Sequence, residues 1–192
     1  SEANRELINK CKSLSQYRPT PFYLLDYYGH VATIALTVVR QLFNRSLPVD
    51  RELFKISDGG TVGLDWVLET TDRPYNPDRP LAVLVHGLCG DTDSVYITFA
   101  ARALQKRGYD VVSFVSRGCG GLTLTTMEGF HAAKFSDLSE ALEHIRKQKP
   151  SRPIFCAGFS LGAGILLNYL GAVGDKSVLK GAVAISPSWD FL

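Results

Sequence analysis

The 192-residue sequence predicts an α/β protein with a mostly parallel sheet and helices on both of its faces. Two observations favour this class. Short runs that are entirely apolar recur along most of the chain, and segments with helical periodicity separate them. Fully apolar strands that alternate with helices are typical of a parallel sheet that is buried on both faces.

The opening part of the chain does not follow this regular pattern. Residues 1–48 mix short helical patterns with the proline and aromatic segment Tyr17–Phe22. We therefore expect residues 1–48 to form an N-terminal extension that packs on a core formed later in the sequence. Residues 49–192 are expected to form one partial α/β domain, since a chain of this length and apolar content can bury one substantial core.

A hairpin is predicted at the start of the domain. Two strand-like runs, Arg51–Ile56 and Thr61–Leu68, are separated by Ser57-Asp58-Gly59-Gly60, and the glycines suit a turn that needs positive φ. The polar Asp65 alternates with apolar neighbours in the second run. This alternation predicts an edge region of the sheet with one face in water.

From Leu81 onwards, strands and helices alternate. The predicted strands are Leu81–Val85, Val111–Val115, Pro153–Ala157 and Gly181–Ile185. The predicted helices cover about residues 95–107, 134–147 and 161–170. Ligand sites in open parallel sheets lie beyond the carboxyl ends of the strands, so the four loops that follow these strands are expected to share one rim.

The most informative motif is Gly158-Phe159-Ser160-Leu161-Gly162, which lies between a predicted strand and a predicted helix. This context is typical of a nucleophile elbow, in which a sharp turn holds the serine in a strained conformation with its hydroxyl exposed. Ser160 is therefore the candidate nucleophile. A serine hydroxyl needs an adjacent base to remove its proton, so this chemistry also requires a histidine.

A second motif, His86-Gly87-Leu88-Cys89-Gly90, directly follows the first buried strand. A turn in this position can aim one backbone N–H at a developing oxyanion, while the residue after the nucleophile supplies another. We assign these two donors to Leu88 and Leu161. The alternative is a plain strand-to-helix turn. His86 is interpreted as a structural residue of the turn and not as the base.

The remaining histidines and acids do not complete a catalytic triad. The histidines are His30, His86, His131 and His144, so none follows Ser160, and the usual order of serine, acid and histidine cannot be completed in this chain. His131 and His144 are interpreted as surface or packing residues. Asp190 follows the last predicted strand and could orient a histidine, although a turn that ends the strand is the simpler interpretation.

The cysteines and the second glycine-rich loop give weaker signals. Arg117-Gly118-Cys119-Gly120-Gly121 lacks the lysine and the spacing of a nucleotide-binding loop, which favours a role in shaping the loop. Cys89 and Cys119 lie on the predicted rim, but no paired spacing or ligand cluster supports a metal. The cysteines, Cys11 and Cys156 included, are interpreted as free thiols in a reducing, intracellular compartment.

Charge and hydropathy restrict the partners. The net charge of +2 is spread along the chain without a basic stripe, which argues against nucleic acid. The apolar run Val31–Val39 is too short to span a bilayer, and residues 1–17 do not resemble a signal peptide. The chain begins without methionine, so a membrane anchor before Ser1 stays an open alternative.

Several blocks of the sequence together resemble the type 4 α/β-hydrolase family. The blocks are His86–Gly90, Tyr109–Gly121, Asp137-Leu138, Gly158–Gly162, Asn168–Gly171 and the N-terminal pieces Tyr17–Thr20, Gly29–Ile34 and Asp58–Trp66. This family includes bacterial YheT-like esterases, plant embryogenesis-associated proteins and animal abhydrolase-domain phospholipases. The resemblance implies an α/β-hydrolase fold for residues 49–192.

The resemblance also implies a function. It implies a serine carboxylic ester hydrolase that acts on acylglycerols, phospholipids or small acyl esters, with Ser160 as nucleophile, no cofactor, and in some members contact with a membrane. In this family a lid and further strands that bear the aspartate and histidine would follow Leu192. The chain by itself is therefore expected to show little or no turnover.

Two alternatives stay open. The chain could be an inactive, naturally short protein that keeps the cleft to bind a lipid or a protein, in which case the exposed strand edge at Gly181–Ile185 would favour association. It could also belong to an acyltransferase that uses the same serine and passes the acyl group to an alcohol. The sequence does not specify an oligomeric state.

Overall fold

The computed structural model describes residues 2–10, 45–68, 76 and 78–187, together with positions 34, 35, 38 and 42. The chain divides into two compact units, Ser1–Phe43 and Asn44–Leu192. In the first unit, helix α1 covers Glu2–Lys10, and the Lys10 ammonium lies 2.6 Å from the Glu6 carboxylate. The packing of residues 1–48 on the core stays a prediction.

The second unit contains a six-stranded sheet. Its strands are β1 (Val49–Lys55), β2 (Thr61–Val67), β3 (Leu81–Val85), β4 (Asp110–Val115), β5 (Ile154–Phe159) and β6 (Leu179–Ile185). They are arranged in the order β1-β2-β4-β3-β5-β6. β1 and β2 are antiparallel, as are β2 and β4, whereas β3 to β6 pair in parallel. The predicted α/β class with a mostly parallel sheet is confirmed.

Helices cover both faces of the sheet. They are α2 (Val95–Lys106), α3 (Ser136–Gln148) and α4 (Leu161–Val173). On one face, Ile97 of α2 belongs to a buried cluster with Leu84, and on the other, Leu166 of α4 is buried with Val83. Neighbouring side chains of β3 thus enter different cores, which explains why this strand is apolar at every position.

The predicted strand and helix positions from Leu81 onwards agree with the structure to within a few residues. β5 extends two residues beyond the predicted end at Ala157 and reaches Phe159. Consequently, no spacer separates the end of this strand from Ser160. β6 lies at the edge of the sheet, where the side chains of Val183 and Ile185 are exposed.

The β1–β2 hairpin is confirmed, but the prediction that Asp65 faces water is wrong. β2 pairs with β4 on its second side, and Asp65 is completely buried. Its carboxylate accepts hydrogen bonds from the Arg51 guanidinium at 2.5 and 2.7 Å and from the Thr92 hydroxyl at 2.5 Å. The alternating pattern predicted that water would solvate this carboxylate, but Arg51 and Thr92 supply its hydrogen bonds instead.

The loop after β4 is anchored by the buried side chain of Arg117. Its Nε and Nη2 atoms each lie 2.7 Å from a carboxylate oxygen of Asp137, and Nη2 also lies 3.0 Å from Asp58. The pKa of Asp58 is lowered to about 2, mainly by the hydrogen bond from the Gly60 N–H and to a smaller extent by Arg117 and Lys134. The guanidinium joins the loop to the hairpin turn and to α3, as expected for a loop-shaping residue.

None of the helices in the described part of the chain is long and apolar enough to cross a membrane.

Candidate active site

Ser160 lies at the junction of β5 and α4, and it is exposed. Its backbone has φ 52° and ψ −117°, a conformation that residues other than glycine rarely adopt. The surrounding structure must hold such a residue in place, and strained residues of this kind cluster at functional sites. The predicted strained turn with an exposed serine is therefore present.

Two glycines allow the chain to turn so sharply. A Cβ atom on Gly158 would lie 2.5 Å from the Gly162 carbonyl oxygen, and one on Gly162 would overlap with the His86 carbonyl oxygen. Backbone hydrogen bonds complete the turn: the Ser160 N–H donates to the Ile185 carbonyl at 2.9 Å, and the Ser160 carbonyl accepts from Ala163 at 3.0 Å. The elbow is thus packed against the ends of β3 and β6.

His86 follows β3 and is completely buried. Its Nε2 atom lies 3.1 Å from the Ser116 backbone nitrogen, and its Nδ1 atom lies 2.6 Å from the Gly87 carbonyl oxygen. Because the Ser116 N–H must donate, Nε2 is the acceptor and Nδ1 carries the proton. Burial lowers the pKa of His86, which keeps the ring neutral. With both nitrogens occupied, His86 serves the backbone and not Ser160.

The same contacts orient the backbone N–H of Leu88. The Gly87 carbonyl, which belongs to the same peptide unit, accepts from the His86 ring and from the Gly90 N–H at 3.1 Å. In a trans peptide the N–H points away from the carbonyl, so the Leu88 N–H faces away from these donors. Among the described residues, no acceptor is found for the N–H of Leu88 or for that of Leu161.

The two motifs are adjacent in space. A Cβ atom on Gly87 would lie 3.2 Å from Ser160 Cβ and 3.3 Å from the Phe159 carbonyl oxygen. The loops after β3, β4, β5 and β6 meet through the His86–Ser116 and Ser160–Ile185 hydrogen bonds. The prediction that these four loops share one rim is confirmed.

Two further histidines, His131 and His144, lie in the described part of the chain. His131 is exposed. His144 Nε2 lies 2.5 Å from the Glu52 carboxylate, and its ring stacks on Phe54 with centroids 4.2 Å apart. The exposure of His131 and the contacts of His144 agree with the interpretation of both as surface or packing residues. His30 and Asp190, two further candidates, lie outside the described residues.

The described cysteines, Cys89, Cys119 and Cys156, are free thiols. Cys89 is exposed with φ 52°, whereas burial raises the pKa of both Cys119 and Cys156. Within the described ranges, no group of histidine, cysteine, aspartate or glutamate side chains could hold a metal ion.

Sequence reasoning missed Tyr96 as a residue of this site. Its hydroxyl oxygen lies 3.0 Å from the Gly87 backbone nitrogen and accepts that N–H. Its ring packs against Phe159, which precedes the candidate nucleophile, with centroids 5.1 Å apart. The available signal was an aromatic residue with a hydroxyl in the first turn of the helix that follows the His86 turn.

An exposed serine between a parallel strand and a helix, beside a glycine turn with an unpaired N–H, is the arrangement of the α/β-hydrolases. The sequence profile of the family described as serine aminopeptidase S33 (Hydrolase_4) matches residues 76–191. The chain therefore belongs to this α/β-hydrolase family.

Curated relatives agree with this assignment. An embryogenesis-associated protein from Picea glauca is 36% identical over 95% of this chain and 40% of its own length. A phospholipase, ABHD3 from Bos taurus, is 36% identical over 72% of this chain and 34% of its own length. A medium-chain fatty acid ethyl ester synthase/esterase from Saccharomyces cerevisiae is 28% identical over 98% of the chain. The chain thus spans about a third to a half of these relatives.

Solved structures share the fold. An α/β serine hydrolase without a lid from Xanthomonas campestris matches with a TM-score of 0.60 and 27% identity, over 77% of this chain and 67% of its own. An esterase from Pyrococcus furiosus matches with a TM-score of 0.58 and 20% identity, over 73% of this chain and 52% of its own. The α/β-hydrolase fold predicted from the sequence is confirmed for the part of it that this chain contains.

Proposed function

We propose that the full-length protein containing this chain hydrolyses carboxylic esters and that Ser160 is its nucleophile. The observation that carries this proposal is the strained, exposed serine packed against a glycine turn whose next N–H, that of Leu88, is free. A packing turn needs neither the exposed hydroxyl nor the free N–H, whereas acyl transfer needs both.

In the proposed reaction, Ser160 Oγ attacks the ester carbonyl carbon while a histidine accepts the hydroxyl proton. The N–H groups of Leu88 and Leu161 donate hydrogen bonds to the oxyanion that forms. The intermediate collapses, the alcohol leaves with the proton from the histidine, and water then hydrolyses the acyl-enzyme by the same two steps. The products are the acid, the alcohol and the free serine.

We place the catalytic histidine and its acid in the part of the full-length protein that this chain does not span. Both ring nitrogens of His86 bond to backbone groups, and His144 bonds to Glu52. The chain by itself is accordingly proposed to retain the nucleophile and the oxyanion donors without efficient turnover.

The relatives support a lipid or small acyl ester as substrate. Similar proteins include a phospholipase and a monoacylglycerol lipase, the latter from yeast and 30% identical over 62% of this chain. We propose acylglycerols, phospholipids and small acyl esters as the substrate class. A second candidate is transfer of the acyl group to an alcohol, which is favoured by the yeast relative named both synthase and esterase.

Labelling with a fluorophosphonate tests the nucleophile. We expect the full-length protein to be labelled and Ser160→Ala to lose the label. Ser186→Ala is a matched control, because Ser186 is also an exposed serine after a parallel strand and has φ 50°. Equal labelling of the parent and Ser160→Ala would remove Ser160 from the reaction and leave the lipid- or protein-binding alternative.

A further inference from the structure

Tyr96 stands beside the candidate nucleophile without a role in the proposed reaction so far. It lies in the first turn of α2, and 39% of its surface is exposed. Its ring contacts Phe159, and its hydroxyl reaches the turn that carries the Leu88 N–H. The ring and the hydroxyl of this side chain are thus both held in place, while part of its surface stays exposed.

The hydrogen bond to Gly87 determines what the hydroxyl can still do. A tyrosine hydroxyl can accept hydrogen bonds and donate one. The Gly87 N–H donates to the Tyr96 oxygen at 3.0 Å, so the hydroxyl proton must point elsewhere. No acceptor for this proton is found among the described residues. Tyr96 therefore presents a free O–H donor.

The position of this donor is set by the same glycine that contacts Ser160. A Cβ atom on Gly87 would lie 3.5 Å from Tyr96 Oη and 3.2 Å from Ser160 Cβ, so both groups flank one point on the turn. A Cβ atom on Gly90 would lie only 2.7 Å from Tyr96 Oη. Gly87 and Gly90 thus pack closely against the Tyr96 hydroxyl and hold it near Ser160.

We propose that Tyr96 donates a third hydrogen bond to the oxyanion formed when Ser160 attacks an ester carbonyl. This inference rests on the proposed function. The hydroxyl keeps its proton throughout, and its donated hydrogen bond stabilises the negative charge on the former carbonyl oxygen. The Gly87 N–H polarises the Tyr96 hydroxyl and strengthens its O–H as a donor, since hydrogen bonds in a chain reinforce one another.

The first test is Tyr96→Phe in the full-length protein with a short-chain p-nitrophenyl ester. Phenylalanine keeps the ring contact with Phe159 and removes the donor. We expect kcat to fall about 100- to 1000-fold, the range for loss of one oxyanion donor, with KM changed less than about twofold. Tyr109→Phe is the matched control, since this tyrosine packs on Phe155 at the amino-terminal end of β4. We expect it to leave both constants unchanged.

Further measurements distinguish two roles of the Tyr96 hydroxyl: donating to the oxyanion, or only accepting the Gly87 N–H and so positioning the turn. A trifluoromethyl ketone forms a hemiketal oxyanion with the serine, and its affinity should fall in Tyr96→Phe by the same factor as kcat/KM. Replacement of Tyr96 by 3,5-difluorotyrosine lowers the pH at which the phenol ionises. The phenolate still accepts the Gly87 N–H but donates nothing, so activity should be lost at a lower pH than in the parent.

The outcomes are distinct. A kcat that is unchanged in Tyr96→Phe overturns the inference, as does a reduced kcat with unchanged inhibitor affinity. If Tyr96→Phe does not fold, the test is the pH dependence of activity in the difluorotyrosine protein. A pH dependence identical to that of the parent overturns the inference. Full activity in Ser160→Ala would overturn the proposed function itself, and the inference with it.

Discussion

The turns after β3 and β4 meet on one rim, yet they are stabilised by different chemistry. The turn after β4 is anchored by a charged group, the buried Arg117, whose guanidinium is paired with Asp137 and Asp58. The turn after β3 is anchored by neutral groups, the His86 ring and the Tyr96 hydroxyl. A hydrogen bond from the Ser116 N–H to His86 Nε2 joins the two turns directly.

This difference indicates that the turn after β4 has a structural role, whereas the turn after β3 presents a free backbone donor. In the turn after β4, the Arg117 guanidinium is paired with the carboxylates of Asp137 and Asp58, so it has no free charge to offer a ligand. This pairing is typical of a structural element.

In the turn after β3, the His86 ring donates to the Gly87 carbonyl and the Tyr96 hydroxyl accepts the Gly87 N–H. Among the described residues, the Leu88 N–H is left without an acceptor. A neutral anchor also avoids a fixed positive charge in the turn beside Ser160. Three predictions test whether the two turns differ as described.

The largest effect is expected at the charged anchor. Arg117→Met removes the guanidinium and leaves the buried Asp137 carboxylate without its strongest partner, so we expect a loss of about 3 to 5 kcal/mol in unfolding free energy. Urea denaturation of the full-length protein measures this loss. Lys10→Ala, which removes an exposed ion pair with Glu6, is the control and should cost less than about 1 kcal/mol. Equal effects of the two variants would contradict the assigned role of Arg117.

A smaller, pH-dependent effect is expected at the neutral anchor. Burial lowers the pKa of His86 in the folded protein below the value of about 6.5 that an unfolded histidine has. The unfolded chain therefore binds more protons below that pH, so the stability contributed by neutral His86 is present above about pH 6.5 and is lost as pH falls through the window below it. Protonation would also abolish the acceptor for the Ser116 N–H.

The measurement is the unfolding free energy between about pH 7 and pH 5, a range set by the reference value of histidine. His86→Asn should flatten the pH dependence, whereas His131→Ala, which removes an exposed histidine, should retain it. A parent protein whose stability does not change across this range would show that His86 is not held in its neutral form by burial.

The smallest effect concerns the cysteine that each turn carries. Cys89 is exposed, whereas Cys119 is buried with a raised pKa, so we expect iodoacetamide to modify Cys89 at least about 10 times faster in the native protein. Peptide mass spectrometry follows both sites, and addition of urea should remove the difference. Faster modification of Cys119 would show that the turn after β4 opens more readily than the turn after β3.

Much of the fold was readable from the sequence because its signals are local. The apolar run Leu81–Val85 and the strand–serine–helix pattern around Ser160 each depend on neighbours within a few residues. The burial of Asp65 was not readable, because its partner Arg51 lies 14 residues away and an internal ion pair leaves the same alternating pattern as a wet face. Tyr96 was missed for the same reason, since it meets Phe159 only in the folded sheet.

By itself the sequence determined the order of strands and helices and the identity of the candidate nucleophile, since periodicity and glycine spacing act over single elements. Only the tertiary structure decided which groups surround that nucleophile: the tautomer of His86, the direction of the Leu88 N–H and the proximity of Tyr96. The physical reason is that parallel pairing brings the ends of strands far apart in the chain to one rim, and hydrogen bonds made across that rim leave no local pattern in the sequence.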